Sequence, residues 1–78
     1  MTNKEKYDKI MMDNLKVTQD QLPGLKYRGI SAWDSMAHMD IISDIEETFK
    51  IYMENVDVIK FNTYEKGMEI LAQNGVVF

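Results

Sequence analysis

Apolar residues recur at three- and four-residue spacing in three separate stretches of this 78-residue chain, and that pattern restricts the fold to packed helices. Tyr7, Ile10, Met11 and Leu15 mark the first stretch. Ile41, Ile42, Ile45 and Phe49 mark the second, and Tyr64, Met68, Leu71 and Ala72 the third. Each leaves one apolar stripe that is stable only when buried against another element. With 45% apolar residues and no cysteine, the chain has enough material for one core and no means of forming a disulfide framework. The expectation is a single domain over residues 1–78, an all-α, small antiparallel four-helix bundle of three main helices and one short one.

Helix boundaries follow from end chemistry. Thr2 and Glu5 fit a capping box, so the first helix is predicted from about Thr2 to Lys16. Pro23-Gly24 and Gly29 break any helix between residues 17 and 33, yet Leu22, Leu25, Tyr27 and Ile30 recur through that stretch. They predict a long loop pinned to the core. Asp34 is the predicted N-cap of the second helix, with Trp33 anchoring its entry as a hydrophobic staple. One short helical turn is predicted near Asp57–Phe61, with a short strand competing because Val56, Val58 and Ile59 are β-branched. The last helix is predicted to start near Asn62 or Thr63, with Asn62 and Glu65 at capping spacing and Gly75 at its end. Gly67, inside that helix, costs about 1 kcal/mol relative to alanine, which points to close packing there.

Charge is unevenly spread. Residues 1–30 hold six Lys/Arg against four Asp/Glu, whereas residues 31–59 hold Lys50 alone against seven acids. That second surface repels nucleic acid and suits a basic protein partner, although a solvated acidic face kept for solubility has the same composition. One histidine and no cysteine leave no conventional metal site. The charged start of the chain lacks the apolar core of a signal peptide, and no apolar run approaches spanning length. The expectations are a cytoplasmic location, no membrane insertion and a monomer.

The second helix carries the candidate site. At about 100° per residue, Ile41, Ile42, Ile45 and Phe49 share one side. Ser35, Met36, Met39, Ser43, Glu46 and Glu47 share another, with Asp40 at its edge. Exposed methionines among acids suit docking, since methionine adapts to varied surfaces. Ser35 sits where backbone N–H groups and the helix dipole favour an anion, so it could carry a phosphate-linked group. On the pattern alone, plain capping is the favoured reading of an Asp-Ser pair at a helix start. A catalytic serine is disfavoured: His38 lies one turn away, but no oxyanion loop accompanies it. At the border of the apolar stripe, His38 reads as a packed, hydrogen-bonded residue. Glu46-Glu47 as a glycosidase pair fails, because neighbours on one exposed helix form no cleft.

The run Trp33-Asp34-Ser35-Met36-Ala37-His38-Met39-Asp40-Ile41-Ile42 resembles the attachment motif of acyl carrier proteins, and the length, acidity, helix order and long first loop fit that family. The resemblance implies that Ser35, with Asp34 beside it, bears 4′-phosphopantetheine donated by coenzyme A through a phosphopantetheinyl transferase. The chain itself would then be no enzyme. It would carry an acyl group as a thioester and present it to an acyl-adenylating ligase, acyltransferase or synthase with a basic docking surface. Met36, Met39, Asp40, Glu46 and Glu47 would form the face that these partners meet, and Ile41, Ile45 and Met68 would shelter part of the cargo. Met36 stands where leucine is usual, and Ala32-Trp33 where fatty-acid carriers have a glycine-containing lead-in. The Trp-Asp-Ser-x-x-His pattern is similar to stand-alone carriers of specialised pathways. Two alternatives stay open: an aminoacyl carrier of the D-alanyl type, and an unmodified helical adaptor that binds a basic partner through the second helix.

Overall fold

A computed structural model describes residues 1–78 and is all-helical. Four α-helices follow in order: α1 (Asn3–Leu15), α2 (Ser35–Phe49), α3 (Asn55–Lys60) and α4 (Tyr64–Gln73). A single 3-10 turn, Gln19–Gln21, interrupts the loop between α1 and α2. The Cα radius of gyration is 11.2 Å, against about 11.5 Å for a compact chain of this length. No helix is long and apolar enough to cross a membrane.

The helix ends obey local chemistry. Thr2 and Glu5 form a complete capping box, with Glu5 N donating to Thr2 Oγ1 at 3.1 Å and Thr2 N to Glu5 Oε1 at 2.8 Å. Lys16 and Lys50 end α1 and α2 in the left-handed conformation, at φ 58° and 57°. At α4 the expected pair of Asn62 and Glu65 does not form. Thr63 is the N-cap, its Oγ1 accepting from Lys66 N at 2.9 Å, and Glu65 instead accepts Gly24 N at 3.0 Å. Glu65 thereby ties the Pro23-Gly24 turn to α4. Gly75, at φ 93°, closes the C-terminal end beyond Asn74.

Fifteen buried residues form one core cluster. Tyr7, Ile10, Met11 and Leu15 enter it from α1, and Ile41, Ile42 and Ile45 from α2. Phe49 packs half-buried at its edge. From α4 the buried set is Tyr64, Gly67, Ile70 and Leu71. Ala72, expected on that stripe, is exposed, because Ile70 takes its place facing inward. Residues 55–60 are helical despite three β-branched side chains, so the competing strand is excluded. None of the residues in α3 is fully buried; Val58 packs half-buried against the core, and Met53 and Phe61 anchor the helix on either side.

The long loop is held to the core throughout. Leu22 and Trp33 are buried, and Leu25, Tyr27 and Ile30 pack against the cluster. Tyr27 N donates to Asn62 O at 2.9 Å and Tyr64 N to Leu25 O at 2.9 Å, so the loop borrows the backbone before α4 for its missing hydrogen bonds. On the α1 side, buried Asp8 gathers Lys4 Nζ at 2.7 Å, Gln19 Nε2 at 2.5 Å and the Tyr64 hydroxyl. Burial opposes the Asp8 charge, but the bonds from Lys4, Tyr64 and Gln19 outweigh it and hold the carboxyl below the usual carboxylate range. The Tyr7 hydroxyl donates to Tyr64 O at 2.8 Å within the same seam.

Two predictions follow from this packing. A Cβ on Gly67 would collide with the Tyr7 hydroxyl and stand 2.5 Å from Phe61 Cζ. Gly67→Ala therefore gains about 1 kcal/mol of helix propensity but loses about 1–3 kcal/mol to overpacking. A lower urea midpoint is expected, and a higher one would show that Tyr7 and Phe61 move aside freely. For Asp8, a native pKa below the unfolded value means that its stabilisation is complete above the unfolded value of about 3.9. It is lost as pH falls through the native value. Asp8→Asn should lower stability at pH 7 by about 1–2 kcal/mol, a figure kept small because the Lys4 partner is half exposed and screened. The gap between parent and variant should close in acid; a gap independent of pH would remove the charge from the explanation.

Candidate functional site

The start of α2 is built from the loop before it. Arg28 N donates to Trp33 O at 3.0 Å and Trp33 N to Ile30 O at 3.2 Å, folding residues 28–33 back on themselves. Arg28 adopts φ 64° to make that return, and its guanidinium lies 5.4 Å from the Tyr27 ring centroid. Trp33 is fully buried. Its Nε1 donates to His38 Nδ1 at 3.0 Å, with the two rings stacked at a centroid distance of 6.1 Å. The predicted staple is thus present in position, joining the residue before the N-cap to the fourth helical residue, and a hydrogen bond strengthens it.

His38 is half-buried and satisfied on both nitrogens. Indole N–H can only donate, so Nδ1 accepts and the proton resides on Nε2, which donates to Val58 O at 2.8 Å. The imidazole therefore bridges the loop, α2 and α3. It is a packed residue, as its place beside the apolar stripe suggests, and it has no free nitrogen for acid–base work.

Asp34 caps the helix through Oδ1, which accepts Ala37 N at 2.9 Å. Ser35 is exposed and its hydroxyl makes no hydrogen bond. The backbone N–H groups of Ser35 and Met36 have no partner within the chain, and no acidic side chain lies in the first turn of α2. An exposed hydroxyl beside two open donors at the positive end of a 15-residue helix can hold an anion attached to that oxygen.

Around Ser35 the side chains divide. Met36 is 78% exposed and Met39 54%, and Asp40 and Glu47 are also exposed. Glu46 is half-buried and its Oε2 accepts Met53 N at 2.9 Å, so it fastens the α2–α3 connection rather than standing free. Asp44 reaches the other way and accepts Asn14 Nδ2 at 2.9 Å. Val56 and Ile59 of α3 are exposed as well, at 51% and 78%. Sequence reasoning did not bring this helix to α2, because the two meet through a contact between residues 20 apart in the chain, His38 and Val58.

Ile41 and Ile45 are fully buried, and neither surface cleft of the molecule is lined by them or by Met68. One cleft, of about 370 Å³, lies between α1 and α2 and is lined by Lys6, Lys9, Ile10, Asp13, Asp44 and Thr48, with Met1 at its edge. The other, of about 220 Å³, is walled by Tyr27, His38, Val58, Ile59, Phe61 and Asn62, on the Trp33–His38 side of α2. No three acidic or histidine side chains come together in a way that could hold a metal ion.

Compared with protein-family models, curated proteins and solved structures, the chain matches none.

The cap is directly testable. Asp34→Ala should cost about 0.5–2 kcal/mol in urea unfolding, while Asp34→Asn, which keeps an acceptor oxygen, should stay near the parent. Equal losses in the two variants would show that the charge, and not the bond to Ala37 N, stabilises α2.

Proposed function

We propose that this chain is an acyl-carrier-like protein that bears a phosphopantetheine arm on Ser35. The observation that carries the reading is the unbonded Ser35 hydroxyl, exposed at the start of α2 beside two unpartnered N–H groups. Those donors fit the charge of a phosphodiester, and the Asp34 carboxylate at the N-cap engages Ala37 N without occupying either of them. The arm, when attached, would supply the thiol that a chain without cysteine lacks.

This chain's own residues then have defined tasks. Ser35 Oγ would form a bond to the pantetheine-side phosphorus of coenzyme A, the pyrophosphate P–O bond would break with adenosine 3′,5′-bisphosphate leaving, and the hydroxyl proton would pass to a base of the separate transferase. Asp34 holds the first turn in place through Ala37, so the oxygen is presented at a fixed position. Trp33 and His38 hold the loop that precedes it. Met36 and Met39 offer apolar contact, and Asp40 and Glu47 offer charge for a basic transferase, ligase or acyltransferase. Glu46 contributes to this face mainly by fixing the helix that carries it. The same arrangement would serve an aminoacyl cargo, because the loading enzyme and not the serine chooses the group.

Intact mass after incubation with coenzyme A and a broad-specificity phosphopantetheinyl transferase tests the reading. One phosphopantetheine should be gained by the parent and none by Ser35→Ala. No gain in the parent, or a gain that survives the substitution, overturns it and leaves a helical adaptor as the reading of the exposed face.

A further inference from the structure

The cleft beside the start of α2 limits what a group attached at Ser35 can do with the protein's interior. Ser35 and His38 are three residues apart, hence neighbours on the helix surface, and His38 forms one wall of the cleft. Its imidazole is fixed by Trp33 Nε1 at 3.0 Å and Val58 O at 2.8 Å, so it cannot swing away without breaking both bonds. Behind it stand Trp33 and Phe61, each fully buried, with Trp33 and Phe61 rings edge-to-face at 6.4 Å and His38 and Phe61 at 5.8 Å. Beyond this aromatic wall Ile41, Ile45 and Leu71 fill the core with no exposure. The route from the serine into the bundle is closed by packed rings.

On this side of α2 what remains is a shallow seat of about 220 Å³. Its surfaces are flat: the Tyr27 and His38 rings lie 5.2 Å apart by centroid, with Phe61 beneath. Ring faces prefer other rings in offset or edge contact. A long aliphatic chain finds no continuation inward from it.

Resting on the carrier reading above, we infer that the Trp33–His38 pair sets the cargo class: a compact acyl group, aromatic by preference, seated against Tyr27 and His38, while long aliphatic chains are kept outside the bundle. Trp33 and His38 are then specificity-determining residues, acting as a wall and taking no part in bond making.

The test uses two arms. In the first, the unmodified protein is titrated with the benzoyl and octanoyl thioesters of N-acetylcysteamine and followed by NMR. Benzoyl should shift the Tyr27 and His38 ring signals, and neither probe should shift the Ile41 or Ile45 methyls. In the second, benzoyl- and octanoyl-coenzyme A are used with the transferase to load Ser35. The attached benzoyl thioester should hydrolyse roughly fivefold to tenfold more slowly than its free pantetheine counterpart, the protection expected from covering a few apolar atoms. Octanoyl should gain none. His38→Ala should admit the octanoyl chain, with new shifts at Ile41 and Ile45; if that variant does not fold, the benzoyl–octanoyl contrast in the parent decides alone. Octanoyl shifts at Ile41 and Ile45 in the parent, or no benzoyl shifts at Tyr27 and His38, overturn the inference. Failure of the carrier reading would appear separately, as no loading at all, with the first arm still deciding the cleft.

Discussion

The hydrogen-bonded bridge from Trp33 through His38 to Val58 is the constraint on which the candidate-site end of the molecule depends. A long loop, the first turn of α2 and the short helix α3 would otherwise share little beyond van der Waals contact. One neutral imidazole accepts from the indole and donates to the α3 carbonyl, so three segments distant in sequence acquire a common reference point. Both polar groups are buried or half-buried, and leaving either unpaired costs about 1–3 kcal/mol. That asymmetry, more than the gain from each bond, keeps the bridge closed. The loop that it holds is the one that delivers Asp34 and Ser35 to the start of α2.

A second polar lock works on the far side of the bundle. Asp8 binds Lys4, Gln19 and Tyr64, while Tyr7 binds the Tyr64 carbonyl, so α1, the 3-10 turn and α4 are joined through one carboxylate and two phenols. Every buried side-chain nitrogen and oxygen has a partner. In a core of only fifteen buried apolar residues this matters, since burial alone gives a small domain limited stability. The two locks divide the labour. The Asp8 cluster ties α1 to the 3-10 turn and α4, and the His38 bridge sets the geometry of the candidate site.

The helical stripes made most of the fold legible in the sequence, because burial of one face is a periodic demand that the residues must repeat. Tyr7, Ile10, Met11 and Leu15 all reach the core, as do Ile41, Ile42 and Ile45. Local capping was legible at Thr2 and Asp34, where the partner lies three residues away. At α4 the start near Thr63 was legible, but the Asn62–Glu65 pair was not, because Glu65 found Gly24, 41 residues distant. Asp8 escaped notice for the same reason: its partners Gln19 and Tyr64 are brought to it only by the fold. At the candidate site, the exposure of Ser35, Met36 and Met39 follows from their angle around α2, while the bond from Met53 to Glu46 depends on a chain reversal that periodicity does not encode.

The placement of Ser35 joins the firmest and the least anchored parts of this end of the molecule. Asp34, Trp33 and His38 fix the first turn of α2 from three directions. Across the cleft, α3 fully buries none of its own side chains, has no side-chain cap, and exposes Val56 and Ile59. Opening free energy is lowest where buried contacts are fewest, so a partner docking here, if the carrier reading holds, would meet a fixed first turn of α2 on one side and a more adjustable wall on the other. Strain from such docking would be taken up by α3, held by the half-buried Val58, by Met53 and Phe61 and by the bond to His38, rather than by the turn that presents the hydroxyl. The imidazole that closes the interior is also the link through which any movement of α3 is felt at the base of the loop that positions Ser35.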